Sequence, residues 1–347
     1  MGEDIHIRQQ GRVGRITLQR PDALNALTYD MVRAIEEALD AWRDADIDLI
    51  LLDAEGPRAF CAGGDIADLY ESGVAGNFAY SQQFWRDEYR LNAKLSEFPK
   101  PVVSFLQGFT MGGGVGLGCH GSHRIVDDSS RIALPECGIG LVPDVGGSLI
   151  LAHAQGHLGE YLSLTSTRIG PADAIFVGFA DHYVPADVWE HLKDGLCEGG
   201  DAALIEATAR PAPEGVLAGA QAEIDQLFAA DTVEEIYRAL GQSDSTLAQK
   251  AHKAMTRNAP LAMAFSMEII RSLRNAESIR DALDLEYRYT FRAMEQGDFI
   301  EGIRAAIIDK DQSPKWKHES PHDVTDQDLS AMLAPLGRNA LNWENTL

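Results

Sequence analysis

The run Met111-Gly112-Gly113-Gly114-Val115-Gly116, followed by Pro135-Glu136-Cys137-Gly138 and Pro143-Asp144-Val145-Gly146-Gly147, sets a bare backbone loop ahead of two carboxylates on glycine-flanked segments. Those residue types suit polarising a carbonyl and moving a proton or a water onto it. Consecutive glycines let a substrate oxygen reach main-chain N–H groups that a side chain would shield. If the run also begins a helix, its first N–H groups lack intrahelical acceptors and favour developing negative charge. Such an oxyanion site is commonly the largest contribution in acyl chemistry, roughly 3–4 kcal/mol per donor. Gly138, Gly140 and Pro143 punctuate the stretch between Glu136 and Asp144 too heavily for one regular helix, so both acids are expected on a loop, free to face one pocket. A glycine cluster standing alone more often marks a tight turn or close helix packing. Gly114-Val115-Gly116-Leu117-Gly118 is a weak match to a dinucleotide loop, because no G-x-G-x-x-G frame with its strand and ribose-binding acid follows.

The elements that must carry these residues read as α/β. With 347 residues the chain can build a sizeable core, as one large domain or two smaller ones. Ile5–Gln9 and Val13–Leu18 are short β-type runs around Gly11, consistent with an opening hairpin. Thr28 can cap a helix whose apolar positions Met31, Val32, Ile35, Leu39 and Trp42 fall at helical spacing. Leu49–Leu52 and Val102–Leu106 are buried-strand candidates, the second entered through Pro99-Lys100-Pro101. Strand-like pieces alternating with helices predict an α/β architecture. After about Tyr183 the pattern changes to largely helical segments, at 186–194, 200–209, 215–241, 245–273 and 277–307, so residues 1–185 and 186–347 are expected to form two regions. Met255, Leu261, Met263, Phe265, Met267, Ile270 and Leu273 form a packing face, and the polar stretch from Asp311 to Leu347 is expected to wrap the surface.

Composition narrows the function. A formal net charge of −23 disfavours nucleic acid and anionic membrane surfaces, and any anionic ligand must find a local basic patch. The start, Met1-Gly2-Glu3-Asp4, is acidic where a signal peptide is basic, and no apolar run approaches the roughly 20 residues that span a bilayer, so a cytoplasmic protein is expected. Cys61, Cys119, Cys137 and Cys197 form no C-x-x-C pair and are expected as reduced thiols, with Cys61 and Cys137 as small packing residues. His120 and His123 lack a matched third ligand, and no metal is expected.

Three further motifs accompany the glycine run: Arg20-Pro21-Asp22-Ala23-Leu24-Asn25-Ala26-Leu27, Phe60-Cys61-Ala62-Gly63-Gly64-Asp65-Ile66, and Trp85-Arg86-Asp87-Glu88-Tyr89. Together with Glu301-Gly302-Ile303-Arg304-Ala305 and Asp309-Lys310-Asp311-Gln312-Ser313-Pro314-Lys315-Trp316-Lys317, they span nearly the whole chain. On these residues the chain resembles the enoyl-CoA hydratase/isomerase (crotonase) superfamily and, within it, the 3-hydroxyisobutyryl-CoA hydrolase branch. The resemblance implies a crotonase-like spiral of β-β-α turns followed by a helical C-terminal region, and an acyl-CoA substrate with no separate cofactor, coenzyme A being part of that substrate. It implies oxyanion donors at the N–H groups of Gly64 and Gly113, and an acyl-CoA channel lined by Ala62, Gly63, Gly64, Asp65 and Ile66. Ala23, Leu24 and Ala26 would lie near the adenine end. Glu88, Glu136 and Asp144 match the branch's acidic substrate and catalytic positions. Asp65 is also expected to tie down its own loop, and Arg20, Arg58 and Lys100 are candidate cations for the CoA phosphates. Homo-oligomers, trimers or pairs of trimers, are common in the superfamily.

Hydratases of this superfamily use two glutamates, one from the glycine-rich helix and one from the P-E loop. Here the first position is Gly116, and an acid stands instead at Asp144, where hydratases typically have glycine. Both changes favour hydrolysis of a short 3-hydroxyacyl-CoA thioester, as in valine breakdown. In that reading the thioester oxygen sits between Gly64 and Gly113. Glu136 attacks or activates water, and Asp144 holds the 3-hydroxyl and assists proton transfer to the thiolate. An enoyl-CoA hydratase or isomerase on the same fold, and a non-catalytic acyl-CoA or partner-binding module, are the alternatives.

Overall fold

The computed structural model describes residues 4–343; the first three residues and the last four of the polar tail lie outside the described residues. Nine strands occur among them: β1 (Ile5–Gln10), β2 (Val13–Leu18), β3 (Leu49–Ala54), β4 (Ala59–Cys61), β5 (Val102–Phe105), β6 (Phe109–Met111), β7 (His123–Val126), β8 (Arg131–Ala133) and β9 (His182–Tyr183). They form a six-stranded sheet in the order β1-β2-β3-β5-β7-β9 and a three-stranded sheet in the order β4-β6-β8. The pairs β3/β4, β5/β6 and β7/β8 each send their first member to the large sheet and their second to the small one before helical segments return the chain, which is what makes the path a spiral. The expected hairpin is present, with β1 antiparallel to β2 and Ile5 opposite Leu18. From β2 onward the paired strands run parallel.

That parallel arrangement positions the site. In the small sheet Phe109 is in register with Ala59 and with Arg131, so the carboxyl ends of β4, β6 and β8 lie together. The segments leaving those ends are Ala62–Ile66, Gly112–Gly113 and Leu134–Glu136. Open parallel sheets gather ligand sites at such ends.

Side-chain alternation divides the core. Leu49 and Leu51 of β3 face one cluster with Trp189, Leu192 and Leu196, while Ile50 and Leu52 face the larger one. The helix Trp189–Gly199 therefore covers the outer face of the large sheet. The helix Tyr29–Trp42 begins as expected at Thr28, whose side chain accepts from the Met31 N–H at 3.2 Å.

Beyond β9 every described element is helical, but the long segments read from periodicity are broken. Within 215–241 the break falls at Thr232, which forms a capping box with Glu235 and starts the helix Val233–Gln242. Within 245–273 it falls before Pro260, a residue suited to the first helical position and not to an interior one. The methionine-rich face from Met255 to Leu273 is buried in the main cluster. The tail does more than wrap the surface: the helix Asp326–Leu333 inserts Met332 into the core, and Arg292 donates to the Met332 and Ala334 carbonyls.

Candidate active site

Three loop segments and the helices Ala67–Val74, Phe78–Ser96 and Phe299–Ile303 enclose a cavity of about 100 Å³ lined by Ala62, Gly63, Gly64, Glu88, Glu136 and Asp144 among others. Glu88 comes from the helix Phe78–Ser96, where Phe84, Trp85 and Glu88 share the face turned to the cavity. Glu136 opens a short 3-10 turn, Glu136–Ile139, directly after β8. Asp144 lies eight residues on and lines the cavity with Leu141 and Val145.

The glycines set how near these groups come. A Cβ on Gly112, which holds φ +50°, would stand 2.8 Å from Glu136 Oε1. One on Gly113 would stand 2.7 Å from Glu88 Oε1 and 3.2 Å from the Gly64 nitrogen. Side chains there would fill the space where the acids and the amide now converge. Leu27 bridges to Gly64 through the Gly63 carbonyl and the Asp65 N–H, which leaves the Gly64 N–H out of that ladder. Gly113 is the first residue of its helix, so its N–H has no intrahelical acceptor. Two glycine amides and three carboxyls thus meet at a cavity whose remaining lining is largely apolar.

Burial governs the acids. It pushes Glu88 and Glu136 well above the ordinary carboxylate range, and the negative charge of Asp144 pushes both further. Asp144 is raised by burial to about 7, held back by the hydroxyl of Tyr89, which donates to Asp144 Oδ2 at 2.7 Å. Glu88 Oε1 and Glu136 Oε2 are buried with no hydrogen-bond partner among the described residues. Acids packed this closely titrate as one unit.

Of the residues singled out in the sequence, Ala62, Gly63, Gly64, Ile66, Glu88, Gly113, Glu136 and Asp144 meet at the cavity. Asp65, Ala23, Leu24 and Ala26 do not line it. Asp65 accepts from Arg20 at 3.0 Å, as its loop-tying reading expected, and the 20–27 segment braces the loop from behind through Ala62 N–H to Leu24 O. Arg20 is occupied by Ala26 O and Asp65, and Lys100 by the carbonyls of Trp42 and Ala45. Arg58 is the exposed one of the three cations. His120 Nε2 pairs with the Val145 carbonyl at 2.7 Å, and His123 stacks on His182.

Tyr89 and Glu286 support the site without having been assigned there from sequence. Tyr89 lay inside a quoted motif, but Glu286 is one acid in a helix, Ile279–Ala293, that carries several. The lining residue Phe299 likewise comes from the distant C-terminal region.

Known proteins share this architecture. An enoyl-CoA hydratase from Rhodobacter sphaeroides 2.4.1 superposes with a TM-score of 0.95 at 56% identity, over 98% of this chain and 99% of that one. A carnitinyl-CoA dehydratase from Mycobacterium thermoresistibile gives 0.94 at 39% identity, over 99% and 100%. A Danio rerio relative named 3-hydroxyisobutyryl-CoA hydrolase, mitochondrial, is 38% identical over 352 residues, 98% of this chain and 92% of the relative. A family model described as enoyl-CoA hydratase/isomerase matches residues 13–333. The fold is the crotonase spiral, an α/β architecture that closes on a helical region. The chain belongs to the enoyl-CoA hydratase/isomerase family.

Proposed function

We propose that the chain hydrolyses a short 3-hydroxyacyl-CoA thioester, 3-hydroxyisobutyryl-CoA foremost, to the free hydroxy acid and CoA, as the name of its Danio rerio relative describes. The observation that carries this reading over hydration is the surroundings of Gly116. A Cβ there would stand 2.6 Å from Val145 Cβ and 2.7 Å from Asn92 Nδ2, so the place of a hydratase's first glutamate is filled by other side chains. The acid that lines the cavity with Glu136 and acts most strongly on its charge is Asp144 instead.

In the proposed reaction the thioester oxygen takes hydrogen bonds from the Gly64 and Gly113 N–H groups, which strengthen as the carbonyl becomes tetrahedral. Glu136 either adds its carboxylate to the carbonyl carbon, giving an anhydride that water then opens, or takes a proton from water as that water adds. The C–S bond breaks with its electron pair on sulfur, and a carboxylic acid of the Asp144–Glu88 pair returns a proton to the thiolate. Asp144 also holds the 3-hydroxyl. Label in the Glu136 side chain after single turnover in ¹⁸O-water establishes the anhydride, opened by water at the Glu136 carbonyl, because the general-base route sends the label to the product alone. The residues supply the acid and base themselves, so no cofactor is invoked beyond the CoA of the substrate.

The solved relatives, named as an enoyl-CoA hydratase and a carnitinyl-CoA dehydratase, favour a second reading on the same fold. Thiol release from 3-hydroxyisobutyryl-CoA, compared with loss of enoyl absorbance from crotonyl-CoA, decides between them. Absorbance loss without thiol release overturns the proposal. A role in valine breakdown follows from the substrate. We further infer a reducing, cytoplasmic setting from the four buried, unpaired cysteines; cell fractionation tests it, and enclosure in the organelle named for the relative overturns it. No helix among the described residues is long and apolar enough to cross a membrane. The trimer or pair of trimers implied by family likeness is tested by light scattering.

A further inference from the structure

The helix Ile279–Ala293 touches neither glycine amide, yet it reaches the loops of both catalytic-site acids. Tyr289 donates to the Gly140 carbonyl at the end of the Glu136 turn, and Thr290 lies 3.3 Å from the Tyr89 hydroxyl that holds Asp144. The strongest link is Glu286, which is fully buried. Its Oε2 accepts from the Gly146 N–H at 2.9 Å, and its Oε1 accepts from the Ser148 N–H at 3.1 Å and from the Ser148 hydroxyl. Between Asp144 and these anchors stands Val145 at φ +54°, a left-handed conformation that a β-branched residue disfavours and that persists only when the surroundings enforce it. The Val145 carbonyl is fixed in turn by His120 Nε2.

We propose that Glu286 is a positioning residue for the reaction: by gripping the two amides just past Val145 it holds the strained turn that aims Asp144 at the substrate. Burial raises the Glu286 carboxyl to about 8, and the Ser148 hydroxyl and the Gly146 and Ser148 amides hold that rise back. A buried carboxyl gripped in this way costs the fold more to desolvate than a packed apolar side chain would, and what it supplies there is direction. It touches no reacting atom. It selects one of the conformations open to residues 144–148, the one in which Asp144 meets both Tyr89 and the cavity.

This rests on the hydrolase reading above, and the test separates the two. Thiol release is measured for the full chain, Glu286→Gln, Asp144→Asn and the double variant. Glutamine fills the same volume but turns a donor toward one of the N–H groups, so a mere space-filling role leaves activity intact. The expected result is a fall in kcat of about 10- to 100-fold for Glu286→Gln with KM changed less than about threefold, since small misplacements of a catalytic group act on turnover. In the Asp144→Asn background the same substitution should change kcat by less than about twofold, because a residue acting through Asp144 has nothing left to position. Equal losses in both backgrounds, or no loss in either, overturn the inference. Full activity of Asp144→Asn alone overturns the underlying reading of the site instead. Should Glu286→Gln fail to fold, Ser148→Ala removes one donor from the same carboxylate and runs through the same cycle. A loss of about threefold that vanishes beside Asp144→Asn supports the proposal, and a loss that persists there overturns it.

Discussion

Asp53 and Glu136 are buried to nearly the same depth, 3% and 4% exposed, and the fold drives their charge states in opposite directions. Asp53, in strand β3 immediately before its last residue Ala54, meets Arg15 at 2.5 Å, the Thr17 hydroxyl at 2.7 Å and Lys193 at 3.3 Å. Burial works against its charge, but those partners outweigh it and hold Asp53 below the ordinary carboxylate range. The charges acting on Glu136 are those of Asp144, Glu286 and Glu88, all of its own sign, and they add to burial. Depth therefore does not decide ionisation here; the company does. A structural acid is neutralised by the fold, while the acids of the cavity are left for a substrate to complete. Polarised groups held in a dry cavity act more strongly on a reacting carbonyl than they would in water.

The comparison breaks most sharply through activity. Glu136→Gln should lower thiol release by about 10³-fold, the range of a lost acid–base or nucleophilic group, with the folded state intact by circular dichroism. Undiminished turnover would remove Glu136 from the chemistry and make its burial as structural as that of Asp53. Asp53→Asn is the counterpart: turnover per folded molecule should hold, while stability falls by about 3 kcal/mol, because Arg15 and Lys193 lose their buried partner. Since Asp53 is depressed in the folded state, its contribution is present above the unfolded carboxylate value and fades as pH falls below it. Urea titrations should show the gap between wild type and Asp53→Asn closing under acid conditions.

The amide side of the cavity gives a smaller effect. Gly113→Ala sets a methyl 2.7 Å from Glu88 Oε1 and 3.2 Å from the Gly64 nitrogen, crowding the proposed oxyanion cradle. The expected loss is about 10²-fold in kcat, comparable to removing one oxyanion donor. An alanine variant with wild-type kcat would place the carbonyl elsewhere.

What could be read from residues alone follows the same division between local and distant causes. The β1–β2 hairpin and the Thr28 cap are legible because alternation and capping act over a few neighbouring residues. Glu88, Glu136 and Asp144 could be placed together because the motifs that carry them match a family whose residues meet in space. Strands β4, β6 and β8 have three residues each, too few for a period, so the small sheet that aligns the site loops leaves no pattern. Thr232-x-x-Glu235 is a capping signal inside the largely helical segment 215–241, and it marks where one helix has ended and the next begins. Glu286 is the least legible of all. Its neighbours Asp284 and Arg288 sit on the same helix, and only packing against residues 146–148 distinguishes it from a solvated acid.

The finest test of the comparison is the stability of Asp144→Asn. Burial raises Asp144 to about 7 in the folded protein, against an unfolded carboxylate near about 3.9. Below both values the group is protonated in either state and exerts no pull on folding. As pH rises between them the unfolded chain ionises while the folded one resists, so stability is lost progressively until pH passes the folded value. Asparagine has no proton to lose, and its carbonyl can still accept from the Tyr89 hydroxyl. The variant should therefore melt higher than wild type by about 2 °C or more near pH 8, about 1 kcal/mol for a chain of this size, and by less near about pH 5.5. Calorimetry at the two pH values reads the difference directly. Asp53→Asn moves stability the other way at neutral pH, so the two variants form an opposed pair. If Asp144→Asn melts below wild type at both pH values, Tyr89 satisfies Asp144 as fully as Arg15 and Lys193 satisfy Asp53, and the contrast between a completed acid and an uncompleted one fails at this residue.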